Sequence, residues 1–293
     1  MATAKQKQRY AQRLKRIFAQ QDRLENDAVF RIVSMLDDLR KEIGLIVLDA
    51  DDFQTANLQA IIGQVATAVN AFASSLNEEA LIAIGDIYTL GGDSITEPAL
   101  TAGVSLPSVT LNSQRLSILE AFGLDLVRDV ADEAKRRISA QIRLAAVGGI
   151  SPRDVMRTIT DILGIVDKRR MVTKGISYRA ERIFRTELNR VFSVGAYDKL
   201  TAVSAIIPDV QKQWLSTGDN RTRDSHLAAH GQVQDYDKPF NVGGEDLDYP
   251  LDPSGSAKNV INCRCRIVTV YPDIGALLAP EDVRIEKERA RRG

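Results

Sequence analysis

Asn262-Cys263-Arg264-Cys265-Arg266-Ile267-Val268-Thr269-Val270-Tyr271 is the stretch on which the fold class turns. Its β-branched run predicts a strand over about Val260 to Tyr271. In such a strand Cys263, Cys265, Ile267, Thr269 and Tyr271 share one face, and Arg264, Arg266, Val268 and Val270 the other. Both sulfurs therefore point the same way. A second strand is predicted at about Val210 to Leu215. From Ala202 onward the texture is short apolar spacings with Pro208, Pro239, Pro250 and Pro253, which suits a compact α+β module.

Upstream the pattern is helical. Tyr10, Leu14, Ile17, Leu24, Ala28, Ile32, Met35, Leu39 and Ile43 recur at three- and four-residue steps, the stripe of an amphipathic helix. A break at Asp49 to Phe53 precedes a second stripe, Leu58, Ile61, Val65, Val69, Phe72 and Leu76, which runs toward a stop signal at Gly91-Gly92. The glycines, Pro98, Pro107 and hydroxyl residues of 91–112 read as a long loop or hinge. A helix follows from about Ser113 to Val147, ended by Gly148-Gly149. Ser151, Pro152 and Asp154 then form a helix start: a hydroxyl cap, a proline whose missing N–H costs nothing there, and a carboxylate in the first turn. That helix carries Val155, Ile159 and Ile162. After the basic Lys168-Arg169-Arg170 another helix spans roughly Ile176 to Leu200.

The fold class expected is therefore α+β, long helices followed by a small α+β module. In blocks, it reads as a helical docking region over 1–110, a helical region over 111–200, the module over 201–275 and a charged tail over 276–293. The long N-terminal stripe needs a partner to cover it, so partial disorder or self-association is expected of that region alone.

With 39 basic and 39 acidic residues in 293, the chain has no strong global field for nucleic acid. Two cysteines make no disulfide framework and no apolar segment follows the basic start, so a reducing cytoplasm is expected, with no membrane partner. Locally, Lys5, Lys7, Arg9, Arg13, Lys15 and Arg16 precede the first acidic residue, Asp22, as a basic arm suited to phosphates or to an acidic protein surface.

Every histidine and cysteine lies in the C-terminal third. His226 and His230 stand at i and i+4, and with Cys263 and Cys265 they make a candidate structural zinc set. The other reading of the same residues is architectural. Buried thiols would then sit beside a polar network of Trp214, Asp219, Arg221, Arg223, His226, Asn262 and Arg264, with Asp219 capping the helix that carries His226 and Trp214 anchoring the core. Catalysis has little to build on, since no Gly-rich phosphate loop and no nucleophile beside an evident base is visible.

Arg185-Thr186-Glu187-Leu188-Asn189-Arg190, Trp214, Asp219-Asn220-Arg221-Thr222-Arg223, His226, His230-Gly231, Phe240, Tyr249-Pro250 and Asn262-Cys263-Arg264-Cys265, in this order and spacing, resemble the phage Mu F-like minor head protein domain of the phage head morphogenesis family. The resemblance covers about residues 135–272. It implies a minor capsid protein in the phage head near the portal vertex, assembled in the host cytoplasm. Its implied partners are the portal protein, the major capsid or scaffolding protein, and packaged double-stranded DNA with which it leaves or stays. Fused toxin domains in the family keep a metal-dependent nuclease or an ADP-ribosyltransferase-type effector as the alternative.

Overall fold

A computed structural model describes residues 2–49, 55–106, 108–164 and 174–292. The predicted break at Asp49 to Phe53 falls almost wholly outside these residues, and Lys168-Arg169-Arg170 and Pro107 lie outside them altogether. Five helices come first: α1 (Ala4–Leu48), α2 (Thr55–Thr101), α3 (Ser113–Gly148), α4 (Pro152–Leu163) and α5 (Gly175–Ser204). The small module follows as β1 (Gln211–Leu215), α6 (Asp224–Ala229), β2 (Val233–Asp235), β3 (Phe240–Val242), β4 (Glu245–Leu247), α7 (Ala257–Val260) and β5 (Arg266–Val270), then α8 (Pro280–Arg292). This is the α+β arrangement the patterning predicts. The start of α4 is as read: Ser151 caps it, its Oγ accepting from the Asp154 N–H at 3.3 Å, with Pro152 first in the helix.

The predicted 91–112 loop begins only after Thr101, because α2 runs through Gly91, Gly92 and Pro98 to that residue. The glycines serve packing there. A Cβ on Gly91 would overlap the Phe192 carbonyl of α5, and one on Gly195 would overlap the Tyr88 carbonyl of α2, so two reciprocal glycines let the backbones of the helices touch. Leu111 folds back onto Gly92, where a Cβ would stand 2.7 Å from its Cδ2. Gly103, two residues past the helix end, takes φ +89°. Pro98 lies within a turn of that end, where the lost N–H breaks only one late helical bond.

The chain folds as two compact units, each drawing on α1, α2, α3 and α5. One comprises 1–25, 84–117 and 186–293; the other comprises 26–83 and 118–185. These cut across the sequence-order blocks predicted, since long helices supply a segment to each unit.

In the first unit β1 is the centre of an antiparallel sheet, β2-β1-β5, with Trp214 opposite Ile267 and Gln213 opposite Val268 and Val233. β3 and β4 form a separate hairpin pairing Phe240 with Leu247. The start of α1 packs on this module. Tyr10 is buried, donates its hydroxyl to the Thr269 carbonyl at 2.8 Å and meets the Tyr271 ring edge-on at 6.5 Å between centroids. Leu14 and Ile17 are buried beside it. This part of the stripe is thus covered by the chain's own C-terminal residues, and the basic arm is the first four turns of a folded helix. Lys5, Lys7, Arg9, Lys15 and Arg16 lie on its exposed side, while Arg13 pairs with Glu97.

The motif helix α5 joins the same unit through its polar face. Asn189 accepts from Gln21 at 2.9 Å and donates to Glu25 at 2.8 Å, and Arg190 donates to the Leu251 carbonyl at 3.1 Å. The second unit is helical. Its core holds Ile32, Leu36, Leu39 and Ile43 of α1, Val65 and Leu76 of α2, Val130, Ala134 and Ile138 of α3, and Val155 and Ile159 of α4. Arg179 pairs with Glu133 there, and Arg31 with Glu79 at 2.7 Å.

Candidate functional site

The predicted strand over Val260 to Tyr271 forms only from Arg266. Ahead of it α7 occupies Ala257–Val260, and Asn262 takes the left-handed conformation, φ +56°. Backbone hydrogen bonds account for the difference. The Asn262 N–H donates to Thr186 Oγ1 at 3.0 Å and the Cys263 N–H turns back to the Val260 carbonyl at 3.1 Å, so neither joins the ladder. The sulfurs nevertheless converge. His226 Nδ1 lies 3.3 Å from Cys265 Sγ and 3.5 Å from Cys263 Sγ, and the three donor atoms fall within 4.8 Å of one another, all on buried residues.

Trp214, with no exposed surface, roofs this nest. Its indole stands edge-to-face with the His226 imidazole at 6.0 Å and 85°, and with Phe240 at 5.3 Å. That is the core anchor expected of it. His226 Nε2 and Trp214 Nε1 are buried without a hydrogen-bond partner of normal length. The two thiols are driven apart in acidity. Hydrogen bonding from Cys265, aided by His226, holds Cys263 well below the ordinary thiol range against the opposing effect of burial. Cys265 is held well above it by its bond to Cys263 and by burial, opposed by the indole of Trp214 and the charge of Arg223.

Outside the nest is a second, harder node. Arg264 grips Asp219 with two bonds of 2.7 Å, and Asp219 also accepts from the Arg221 N–H at 3.2 Å and the Thr222 hydroxyl at 3.1 Å. The Arg264 guanidinium holds the Asp219 carboxyl well below the usual carboxylate range. Asp219 does not cap α6, because the cap position belongs to Arg223, which has no side-chain cap bond and whose guanidinium donates to the Ile261 carbonyl. Arg221 reaches Asp219 only loosely, at 3.6 Å.

His230 is apart from the sulfurs. α6 ends at Ala229, one residue before it, and its Nδ1 accepts the Ser216 N–H at 3.1 Å while Nε2 meets Glu286 of α8 at 2.9 Å. The i, i+4 relation with His226 therefore does not put both rings on one cluster. Burial lowers the His230 pKa, partly offset by Glu286. Gly231, at φ +82°, seats Val283 of the same helix against its bare Cα.

Several residues that position this region escaped the sequence reading. Asn259 donates to the Val242 carbonyl at 3.1 Å and receives Ser225 at 3.3 Å, tying α7 to β3 and α6. Lys212 has no exposed surface; its ammonium donates to the Asp248 carbonyl at 2.7 Å and lies over the Tyr197 and Phe240 rings at 4.9 and 5.1 Å. Of these only Lys212 left a readable signal, since in a strand it shares a face with Trp214 two residues on.

Arg185, Thr186 and Glu187 of the motif helix have structural bonds: Arg185 to Glu181 at 2.9 Å, Thr186 to the Asn262 N–H, and Glu187 to Arg190.

With the Trp214, His226 and Asn262–Cys265 constellation assembled around the motif helix, the C-terminal half bears comparison with a known family. Residues 136–268 match the family Phage Mu protein F like protein. Every nest and clamp residue named above, from Trp214 to Cys265, falls inside the matched segment. The match supports a phage head morphogenesis protein in general.

The chain is also similar to NAD(+)--arginine ADP-ribosyltransferase EFV of Enterococcus faecalis (strain ATCC 700802 / V583), 26% identical over 151 residues. That alignment takes in 52% of this chain and 29% of the transferase, so the chain spans under a third of the length of the curated relative it matches. No solved structure matches. Among the described residues no helix is long and apolar enough to cross a membrane.

Proposed function

We propose that this protein is a minor head protein that joins the phage head at the portal vertex during assembly and contacts the packaged DNA there. The observation that carries the reading is the Mu F match over residues 136–268. Two features agree with it. Polar side chains of the segment are engaged in holding its own loops: Asp219 with Arg264, the Thr186 hydroxyl with the Asn262 N–H, and His230 with the Ser216 N–H. The exposed basic face of α1, Lys5, Lys7, Arg9, Lys15 and Arg16, offers phosphate contacts whose strength comes from counterion release. The portal protein is the proposed docking partner, with the major capsid or scaffolding protein as further contacts in the procapsid.

The test is co-expression with the portal protein of the same genome, followed by size-exclusion chromatography and electron microscopy. Co-elution with portal rings is expected. A chain absent both from the rings and from procapsids assembled with the complete set of head proteins overturns the portal assignment.

The likeness to the Enterococcus transferase motivates a second reading, an ADP-ribosyl-transfer effector. Full-length chain incubated with labelled NAD+ and an arginine-rich acceptor is expected to transfer nothing. Labelling of the acceptor above the level without protein would favour the effector reading instead.

A further inference from the structure

The nest beneath Trp214 has an unusual hydrogen-bond economy. A neutral imidazole Nδ1 offers either one proton or one lone pair, yet two thiol sulfurs stand at nearly equal distances from it, 3.3 and 3.5 Å. A hydrogen bond from Nδ1 can serve only one of them and leaves the other to the thiol–thiol contact. A shared cation engages all three donor atoms at once. Tetrahedral zinc with Zn–S near 2.3 Å and Zn–N near 2.0–2.1 Å places its nitrogen and sulfur ligands about 3.5 Å apart, the spacing seen here.

We propose that His226, Cys263 and Cys265 form a structural zinc site, with Nδ1 and two thiolates as the protein ligands.

The ligands come from α6 and from the turn between α7 and β5, 37 and 39 residues apart in sequence. A metal there cross-links the two ends of a module whose sheet is only three short strands, a size at which a metal or disulfide commonly supplements the apolar core. Soft sulfur donors with one imidazole suit zinc rather than a hard cation. With Nδ1 as the ligand, Nε2 carries the ring proton and is enclosed beside Trp214. His230 is excluded by its bonds to Ser216 and Glu286, and among the described residues no fourth imidazole, thiol or carboxylate joins the three. The remaining donor is therefore not one of those side chains. This ligand set replaces the four-residue set read from spacing. It stands independently of the portal assignment, because a module can carry a structural metal whatever it docks on.

The test uses the full-length chain, purified under reducing conditions without a polyhistidine tag, with zinc and copper measured on one sample. About one zinc per chain is expected, as for a metal linked to folding. Replacing it with Co2+ should give a thiolate-to-cobalt charge-transfer band, and both thiols should resist a thiol reagent until a chelator is added. Cys263→Ser and Cys265→Ser should each lower zinc content at least several-fold, whereas His230→Asn should leave it unchanged. Should the cysteine variants fail to fold, the wild-type metal content and cobalt spectrum decide alone. Zinc below about a tenth per chain in reduced, folded protein dialysed against zinc overturns the site, given the affinities typical of structural zinc. So does copper in its place, or zinc loss on His230→Asn.

Discussion

Lys212 carries an ammonium into a space with no solvent exposure, beside two aromatic rings and the Asp248 carbonyl. Burial pushes its pKa down to about 8, and the neighbouring Asp248, Asp237 and Asp252 offset only part of this. In the unfolded chain a lysine titrates near 10.4. Between those values the unfolded state holds a proton that the folded state has released, so stability rises with pH from about 8 to about 10 on account of this group. Lys212→Met abolishes the linkage. The wild-type stability relative to that variant should therefore improve by on the order of 2–3 kcal/mol between pH 7 and pH 10, read from urea midpoints. A difference independent of pH would show that the lysine does not titrate in this way. Asp219 gives the same sign of slope in an acidic window. Arg264 depresses its pKa, so its contribution is present above the ordinary aspartate value near 4 and fades as pH falls below it. Because the pair is part-exposed, Asp219→Asn should cost only about 1 kcal/mol at pH 7. The cost should shrink in high salt and near pH 3, and a cost unchanged across both conditions would exclude the ion pair as its source.

Helix α2 supplies a contrast within one element. Gly91 faces the Phe192 carbonyl with no room for a methyl group, while Gly85 of the same helix has open space where its Cβ would be. In both places alanine is the better helix former by about 1 kcal/mol. Gly85→Ala should therefore stabilise the protein modestly. Gly91→Ala, and likewise Gly195→Ala, should destabilise it by about 1–3 kcal/mol because two helices must part. Thermal unfolding of the three variants checks this, and a common sign for Gly85→Ala and Gly91→Ala would refute the close-approach role. The same pair shows what local pattern can and cannot disclose. Ser151-Pro152-Asp154 is legible because a cap is made by neighbours in sequence. Gly91-Gly92 looks like a stop signal, since what makes it a contact is a backbone one hundred residues away. Asn262 belongs with the glycines: the β-branched run after it is legible, but the Thr186 hydroxyl that draws its N–H away from the sheet is not. Convergence of Cys263 and Cys265 on His226 was readable in kind, whereas His230 failed because α6 ends one residue too early for the i, i+4 rule to hold.

At the scale of the molecule, the stripe that begins at Tyr10 announced that α1 must be covered but not by what. Its cover in the first unit is the chain itself, 259 residues on at Thr269, which periodicity cannot reveal. This changes how the basic start of the chain must be tested. Deleting residues 1–16 removes Tyr10 and Leu14 from the core along with the charges. Losing two fully buried side chains of that size costs several kcal/mol, on the order of 3–5 each. Such a truncation should bind dye at exposed apolar surface and be cut rapidly by protease, so its failure to bind DNA would say nothing about charge. Reversing the exposed charges alone, Lys5→Glu, Lys7→Glu, Arg9→Glu, Lys15→Glu and Arg16→Glu, leaves the buried stripe and the Arg13–Glu97 pair in place. That variant should keep the wild-type melting temperature within a few degrees. If all five cations contact phosphates, its affinity for double-stranded DNA should lose a salt dependence of about 4–5 in log K against log salt, near 0.9 per phosphate contact. Equal retention of DNA by the two proteins at low and moderate salt would remove the α1 face from the DNA-contact role.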